Sequence, residues 1–161
     1  MKKKLFQGAM LLLSANLLFF SSCGDEDHDM EKPVIDMNAV SAFPQTCDIV
    51  YRGESFTFKA LFGDNRELGN YNIEIHNNFD HHSHSTDNVE CELDEKKKPV
   101  KPFIYNKDFN IPSGSVSYAA ENSIFVPEDA DTGDYHFMIR LTDKSGWQQL
   151  KAVSIKIRDR N

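Results

Sequence analysis

The sequence predicts an all-β fold, an antiparallel sandwich of two sheets with about seven short strands. Apolar residues in the region after residue 33 recur with a period of two, as expected for strands that bury one face. Short segments rich in Gly, Asn and Asp separate these runs and are typical of turns. Amphipathic helices, which need an apolar period of about 3.6 residues, are not indicated anywhere in this region.

Each run shows its own alternation. The stretch 54–62 places Phe56, Phe58 and Phe62 on one face, and the stretch 71–76 places Ile73 and Ile75 opposite to their polar neighbours. The predicted strands, in order, are residues 34–37, 54–62, 71–76, 103–109, 123–126, 135–141 and 152–157.

The segment Asp131-Thr132-Gly133-Asp134-Tyr135 stands directly before one of these strands. It resembles the tyrosine corner of immunoglobulin-type domains, in which the ring is buried and the hydroxyl bonds to upstream backbone. The analogy makes Tyr135 the start of strand F, residues 71–76 strand C and residues 152–157 strand G. We therefore expect an immunoglobulin- or cadherin-like sandwich over residues 33–161.

The N-terminus has the features of an export signal. Three lysines at positions 2–4 precede an apolar run over residues 5–20, which polar residues interrupt and which is short for a permanent membrane span. Small residues and Cys23 follow, and the segment 20–23 resembles the loose lipobox of Bacteroidetes lipoproteins, with Phe20 in place of the usual aliphatic residue. We predict a lipoprotein signal peptide over residues 1–22 and lipidation of Cys23; a soluble secreted protein and an uncleaved anchor are the alternatives.

The acidic segment 24–31 follows this cysteine and predicts a solvated linker over residues 23–32. It also resembles the tether that sends Bacteroidetes lipoproteins to the outer face of the outer membrane, with the periplasmic face as the alternative. The whole chain carries a net charge of −7, and removal of the three lysines in residues 1–22 gives −7 − 3 = −10. Such a charge argues against nucleic acid as a partner.

Three segments carry a resemblance to a known group of proteins. Residues 133–138, 142–146 and 78–82 resemble an uncharacterised Bacteroidetes lipoprotein family with a single cadherin/immunoglobulin-like domain of unknown function. The resemblance extends over nearly all of residues 33–159. It implies a fold and a location beside outer-membrane uptake systems, but no activity.

The strongest functional signal is the placement of the histidines. Alternation places His76 opposite to Ile75 and His136 opposite to Tyr135, hence both outward. Strands C and F are antiparallel neighbours in an immunoglobulin-like sheet, so the two imidazoles should share one outer face. A histidine-rich segment leaves from that end of strand C, and it carries Asp80, His81, His82 and His84.

Imidazoles with a carboxylate favour zinc, with nickel and copper(II) as competitors. The expected ligands are His76, His82, His84 and His136, with His81 and Asp80 as substitutes or as groups that orient the ligands. A polar loop rich in histidine by chance is the alternative. A hydrolase would also need a general base; Glu74, on the same predicted face, is a candidate, but a solvated strand residue explains it equally. The sequence has no HExxH, GxSxG or phosphate-loop motif, so we expect no enzyme activity.

Other residues admit more than one interpretation. Cys47 and Cys91 predict either a disulfide or two separate buried thiols, and Cys91 as a metal ligand is the third interpretation. Trp147 either covers the edge of the core or stacks on a sugar. Asp64, Asn65 and Asp143 stand in turns that resemble cadherin calcium positions, but Asx hydrogen bonding explains them better, because a single domain lacks the neighbour that completes such a site.

These observations predict an anchored, monomeric metal-binding protein that serves an outer-membrane transporter or another envelope protein. A metal-free module that binds a protein or a glycan is the second hypothesis, and a metal-dependent hydrolase is the third.

Overall fold

The computed structural model describes residues 28–39, 41–84, 86 and 91–160, so the predicted signal peptide and the predicted lipidation site, Cys23, lie outside the described residues. Eight strands form two sheets: β1 (Val34–Asp36), β2 (Ile49–Tyr51), β3 (Ser55–Gly63), β4 (Leu68–Asn77), β5 (Tyr105–Asn110), β6 (Ser117–Phe125), β7 (Gly133–Asp143) and β8 (Gln148–Arg158). One sheet has the order β1-β3-β6 and the other β2-β8-β7-β4-β5. The predicted all-β sandwich is confirmed. No helix that could cross a bilayer occurs within the described ranges.

One strand, β2, was not predicted from the sequence; it pairs in parallel with β8. Its three residues are too few for an alternating pattern, and only Val50 among them is buried. Strand β6 begins at Ser117, earlier than expected. The prediction missed its first half because small or polar residues, Ala120 and Asn122, occupy two of its inward positions. A period of two is recognised over several residues and from large apolar side chains, so neither the short β2 nor the start of β6 could be predicted from it.

The core lies between the sheets and is built from the predicted alternating residues. Phe58 and Phe62 from β3 meet Tyr71 of β4 and Phe137 of β7, and all four are at most 1% exposed. Ring centres are 5.4 Å apart for Phe58 and Phe137 and 5.0 Å apart for Phe62 and Tyr71. Burial of each such side chain stabilises the fold by about 1.5–3 kcal/mol. Because these side chains must face the core, the alternate residues of β4 and β7 point outward.

The segment before β7 forms the tyrosine corner. The Tyr135 hydroxyl donates to the Asp131 carbonyl at 2.7 Å and accepts from the Phe103 amide at 3.1 Å. Burial raises the pKa of Tyr135 to about 12. These bonds fix the start of β7, and with it the position of the next residue, His136.

A chain segment that we call the covering segment (residues 78–84, 86 and 91–98) lies on the outer face of the five-stranded sheet. Thr86 bonds to Ala152 of β8 through both backbone and side chain. The Asp94 amide donates to Asp134 Oδ2 at 2.7 Å. A disulfide joins Cys91 to Cys47, just before β2. This segment covers the outward-facing His136 of β7, which is 2% exposed.

Candidate metal centre

His76 of β4 and His136 of β7 are direct partners in the antiparallel register. Residues opposite one another in such a pair point to the same face. This face is the outer one, because Ile75 and Phe137 next to them are both 0% exposed in the core. His136 is nevertheless only 2% exposed. The alternation predicted the outward direction of His136 correctly. It could not predict that the covering segment buries this side chain.

The covering segment brings two further imidazoles to this pair. The ring centres of His76, His82, His84 and His136 are mutually 4.9–5.5 Å apart in all six pairs. Four imidazoles bound tetrahedrally to one zinc ion, with Zn–N bonds of about 2.0–2.1 Å, have ring centres about 5.2 Å apart. The spacing of the four rings therefore fits a single metal ion.

In both His76 and His82, Nδ1 faces a carboxylate and Nε2 faces the other ring. Nδ1 of His76 lies 3.1 Å from Glu74 Oε1, and Nδ1 of His82 lies 2.5 Å from Asp80 Oδ1. The contact of His76 with Glu74 is not a hydrogen bond, but in both pairs a carboxylate faces Nδ1. The two Nε2 atoms face each other at 3.4 Å. Metal-ligating histidines typically turn one nitrogen to a carboxylate in this way and bind the ion with the other.

His84 completes a set of three. One ligand atom from each of His76, His82 and His84 lies within 4.8 Å of the others. His136 is not in that set, and its Nε2 lies 3.1 Å from the His82 carbonyl oxygen. Its Nδ1 is buried and has no hydrogen-bond partner among the described residues. His136 thus holds the covering segment through Nε2, and its ring lies beside the three converging histidines without placing a nitrogen in their set.

Burial favours the neutral form of two of these imidazoles, His136 and His76. It lowers the pKa of His136 to about 4, against the smaller opposing effect of the bond to the His82 carbonyl. Burial also lowers the pKa of His76, and the Glu74 carboxylate partly opposes it. The hydrogen bond to His82 lowers the pKa of Asp80. A neutral imidazole is the form that a transition metal binds, so these shifts of His136 and His76 favour metal binding.

Two residues proposed as further or alternative ligands lie elsewhere. His81 has a positive φ of 63°, and its Nε2 contacts the Asp94 carbonyl oxygen at 2.9 Å. Its ring therefore points away from the other four. Cys91 is joined to Cys47 in a disulfide and so has no thiolate for a metal. Asp80 contacts His82 and is positioned to orient that ring.

Trp147, proposed as a stacking residue, is half-buried. Its indole nitrogen donates to the Asp29 carbonyl at 2.8 Å. The ring therefore packs against the segment before Pro33, which the sequence predicted to be a solvated linker.

An ionic network beside the site was not predicted from the sequence. Lys156 of β8 lies 2.5 Å from Asp134 and 3.1 Å from Asp94, and Arg158 lies 2.7 Å from Asp94. These contacts fix Asp94, and through its carbonyl also His81, on the outer face. Alternation places Asp134 and Lys156 outward, but nothing in the sequence indicates that residue 94 returns to them.

Comparison with curated proteins and solved structures gives distant likenesses. No curated protein matches the chain. The structure of a mutant SrpA adhesin from Streptococcus sanguinis is similar over 82% of this chain and 57% of its own, with 19% identity and a TM-score of 0.45. That of Spo0M, a sporulation control protein from Bacillus subtilis, is similar over 80% of this chain and 49% of its own, with 9% identity and a TM-score of 0.41. This chain spans about half the length of those two proteins, and likenesses this low carry no argument about function.

The model of one protein family matches residues 21–158, which is most of the sequence. That family, DUF4625, is described as a domain of unknown function. Its match includes every strand of the sandwich and all four clustered histidines. The chain belongs to the DUF4625 family.

Proposed function

We propose that this protein is a non-enzymatic, lipid-anchored envelope protein that binds a transition metal, zinc first, through His76, His82, His84 and His136. One observation carries the proposal: two Nε2 atoms face each other at 3.4 Å while both Nδ1 atoms face carboxylates. In the tautomers that ligate a metal, the proton is on Nδ1 of each ring, beside its carboxylate, and each Nε2 presents a lone pair. Two lone pairs at this distance repel unless a cation lies between them.

The distance between these nitrogens also supports zinc. Two nitrogens bound to one tetrahedral zinc ion are about 3.4 Å apart when the bonds are about 2.05 Å long. Nickel and copper(II) also accept imidazole ligands, and copper(II) binds more tightly at a given site. Their square-planar preference fits four tetrahedrally spaced rings less well than zinc does.

The envelope location rests on the sequence. A basic start, an apolar run and Cys23 favour lipidation and outer-membrane anchoring. The acidic residues behind this cysteine favour the cell surface, with the periplasmic face as the alternative. A monomeric metal-binding domain at this location would deliver or sense zinc for an outer-membrane transporter.

Zinc titration of the purified full chain, without an affinity tag, tests the metal assignment. We expect one zinc ion per chain, with affinity reduced about 100-fold in His82→Ala. The matched control is His81→Ala, because the His81 ring contacts the Asp94 carbonyl and not the other histidines. Equal binding by the two variants, or no binding of micromolar zinc by the unaltered chain, would contradict the proposal.

The alternatives have separate outcomes. A chain that fails to bind zinc but binds a glycan or an envelope protein would be the metal-free interaction module. A hydrolase would use Glu74 as its base, yet this carboxylate faces Nδ1 of His76, the side away from His82 Nε2. Zinc-dependent hydrolysis that Glu74→Gln abolishes would revive that hypothesis.

A further inference from the structure

A second group of charged side chains lies at the other end of the sandwich. Asp29, Asp64 and Asp143 each place a carboxylate oxygen within 4.8 Å of the others. Asp143 ends β7, on which His136 lies near the start. Seven residues of extended strand separate the two, or about 23 Å. The carboxylate group is therefore independent of the histidine centre.

Two of these carboxylates are held by their own turns through one oxygen each. Asp143 Oδ1 accepts from the Trp147 amide at 2.8 Å. Asp64 Oδ2 accepts from the amides of Arg66 and Glu67 at 2.8 and 2.9 Å. This is the Asx hydrogen bonding that the sequence predicts. It fixes the direction of each carboxylate and accounts for only half of its oxygens.

The other oxygen of each carboxylate is buried without a donor. Neither Asp64 Oδ1 nor Asp143 Oδ2 has a hydrogen-bond partner among the described residues. Asp143 as a whole is only 4% exposed. A buried carboxylate oxygen is rarely left unpaired, because the loss of water is not compensated. Turn formation therefore does not explain these two oxygens.

The third carboxylate comes from the segment before the domain. Asp29 is fixed by Asn65, whose side-chain amide donates to Oδ1 at 2.9 Å, and by Trp147, which bonds to its carbonyl. Ser145 lies 3.4 Å from Oδ2. Arg66 is close enough to lower the pKa of Asp29, after the larger effect of the Asn65 bond. The two unpaired oxygens belong to the other two carboxylates.

We propose that Asp29, Asp64 and Asp143 form a calcium site. The group offers only carboxylate oxygens, which suit calcium and not the softer metals that prefer imidazole. Oxygens bound to one calcium ion at about 2.3–2.6 Å lie within about 5 Å of each other. Water would complete the 6–8 ligands that calcium takes. The bound ion would join residue 29 to the turns that follow β3 and β7.

Thermal unfolding of the full chain, with and without millimolar calcium, tests this site. We expect calcium to raise the unfolding temperature of the unaltered chain by several degrees. Asp143→Asn keeps an acceptor for the Trp147 amide and removes the charge, so it should lose this shift and bind calcium about tenfold more weakly. Asp129→Asn, at an exposed side chain paired with Lys101, should behave as the unaltered chain.

A second variant and a cross-check keep the result decisive. If Asp143→Asn does not fold, Asp64→Asn provides the same comparison, because it retains the acceptor for its turn amides. His82→Ala should keep the calcium response, which separates this site from the zinc centre. No calcium shift in the unaltered chain, or an equal shift in Asp143→Asn, would overturn the proposal.

Discussion

His76 and His136 stand directly opposite each other on β4 and β7, with ring centres 5.5 Å apart on the outer face of the sheet. Cross-strand partners are held rigidly by the backbone ladder between them. The pair is thus the fixed half of the candidate metal centre, and the covering segment brings the other two histidines, His82 and His84. Rigid ligands on strands favour tight binding because little order has to be gained when the ion arrives.

Removal of the carboxylate behind His82 should weaken zinc binding without abolishing it. Asp80→Ala deletes the partner of His82 Nδ1, which orients the ring and makes Nε2 more basic. We expect roughly a tenfold loss of affinity in zinc titrations. Asp129→Ala is the control. An affinity equal to that of the unaltered chain would mean that Asp80 does not orient a ligand.

The metal-free protein should lose stability as the pH falls below about 6.5. The folded pKa of His136 is lowered to about 4, so between these values the unfolded chain binds a proton that the folded chain does not. The free energy of unfolding should fall by about 2–3 kcal/mol between about pH 6.5 and 4.5 from this residue. Urea unfolding with a chelator measures it, and the fall should be smaller by this amount in His136→Gln. The same slope in both proteins would contradict the prediction.

Loss of the disulfide should affect both stability and metal binding. Cys47 and Cys91 are 44 residues apart, and a loop of this length contributes about 4 kcal/mol in the chain-entropy model. Cys91 also fixes the covering segment that carries His82 and His84. The double variant Cys47→Ala, Cys91→Ala should therefore unfold at lower urea concentration and bind zinc more weakly. Unchanged zinc affinity would show that the ion pairs of Asp94 and the bonds of Thr86 order the segment without the disulfide.

The tyrosine corner should be sensitive to one oxygen atom. Tyr135→Phe removes the donor to the Asp131 carbonyl and leaves the buried Phe103 amide without its acceptor. We expect a loss of about 1–3 kcal/mol in the free energy of unfolding, measured by urea. Tyr51→Phe is the control, because its ring contact with Arg160 does not need the hydroxyl. A loss as small as in the control would mean that the corner contributes little.

The amino-acid sequence alone determined most strands and their buried faces. Side-chain alternation is a local property, so the patterns around Phe58, Ile75 and Phe137 sufficed to predict a sandwich. The same alternation, with antiparallel neighbours assumed for strands C and F, placed His76 and His136 on one face. Short β2 could not be predicted in this way because three residues are too few to show alternation, and the start of β6 could not because small or polar residues occupy two of its inward positions.

Only the tertiary structure decided what lies on that face. The path of the covering segment depends on a disulfide, on the ion pairs of Asp94 and on the bonds of Thr86, all made with residues distant in sequence. A segment without periodicity carries no local signal for such contacts. The burial of His136, the exclusion of His81 and the meeting of Asp29 with Asp64 and Asp143 therefore became visible only in the folded chain.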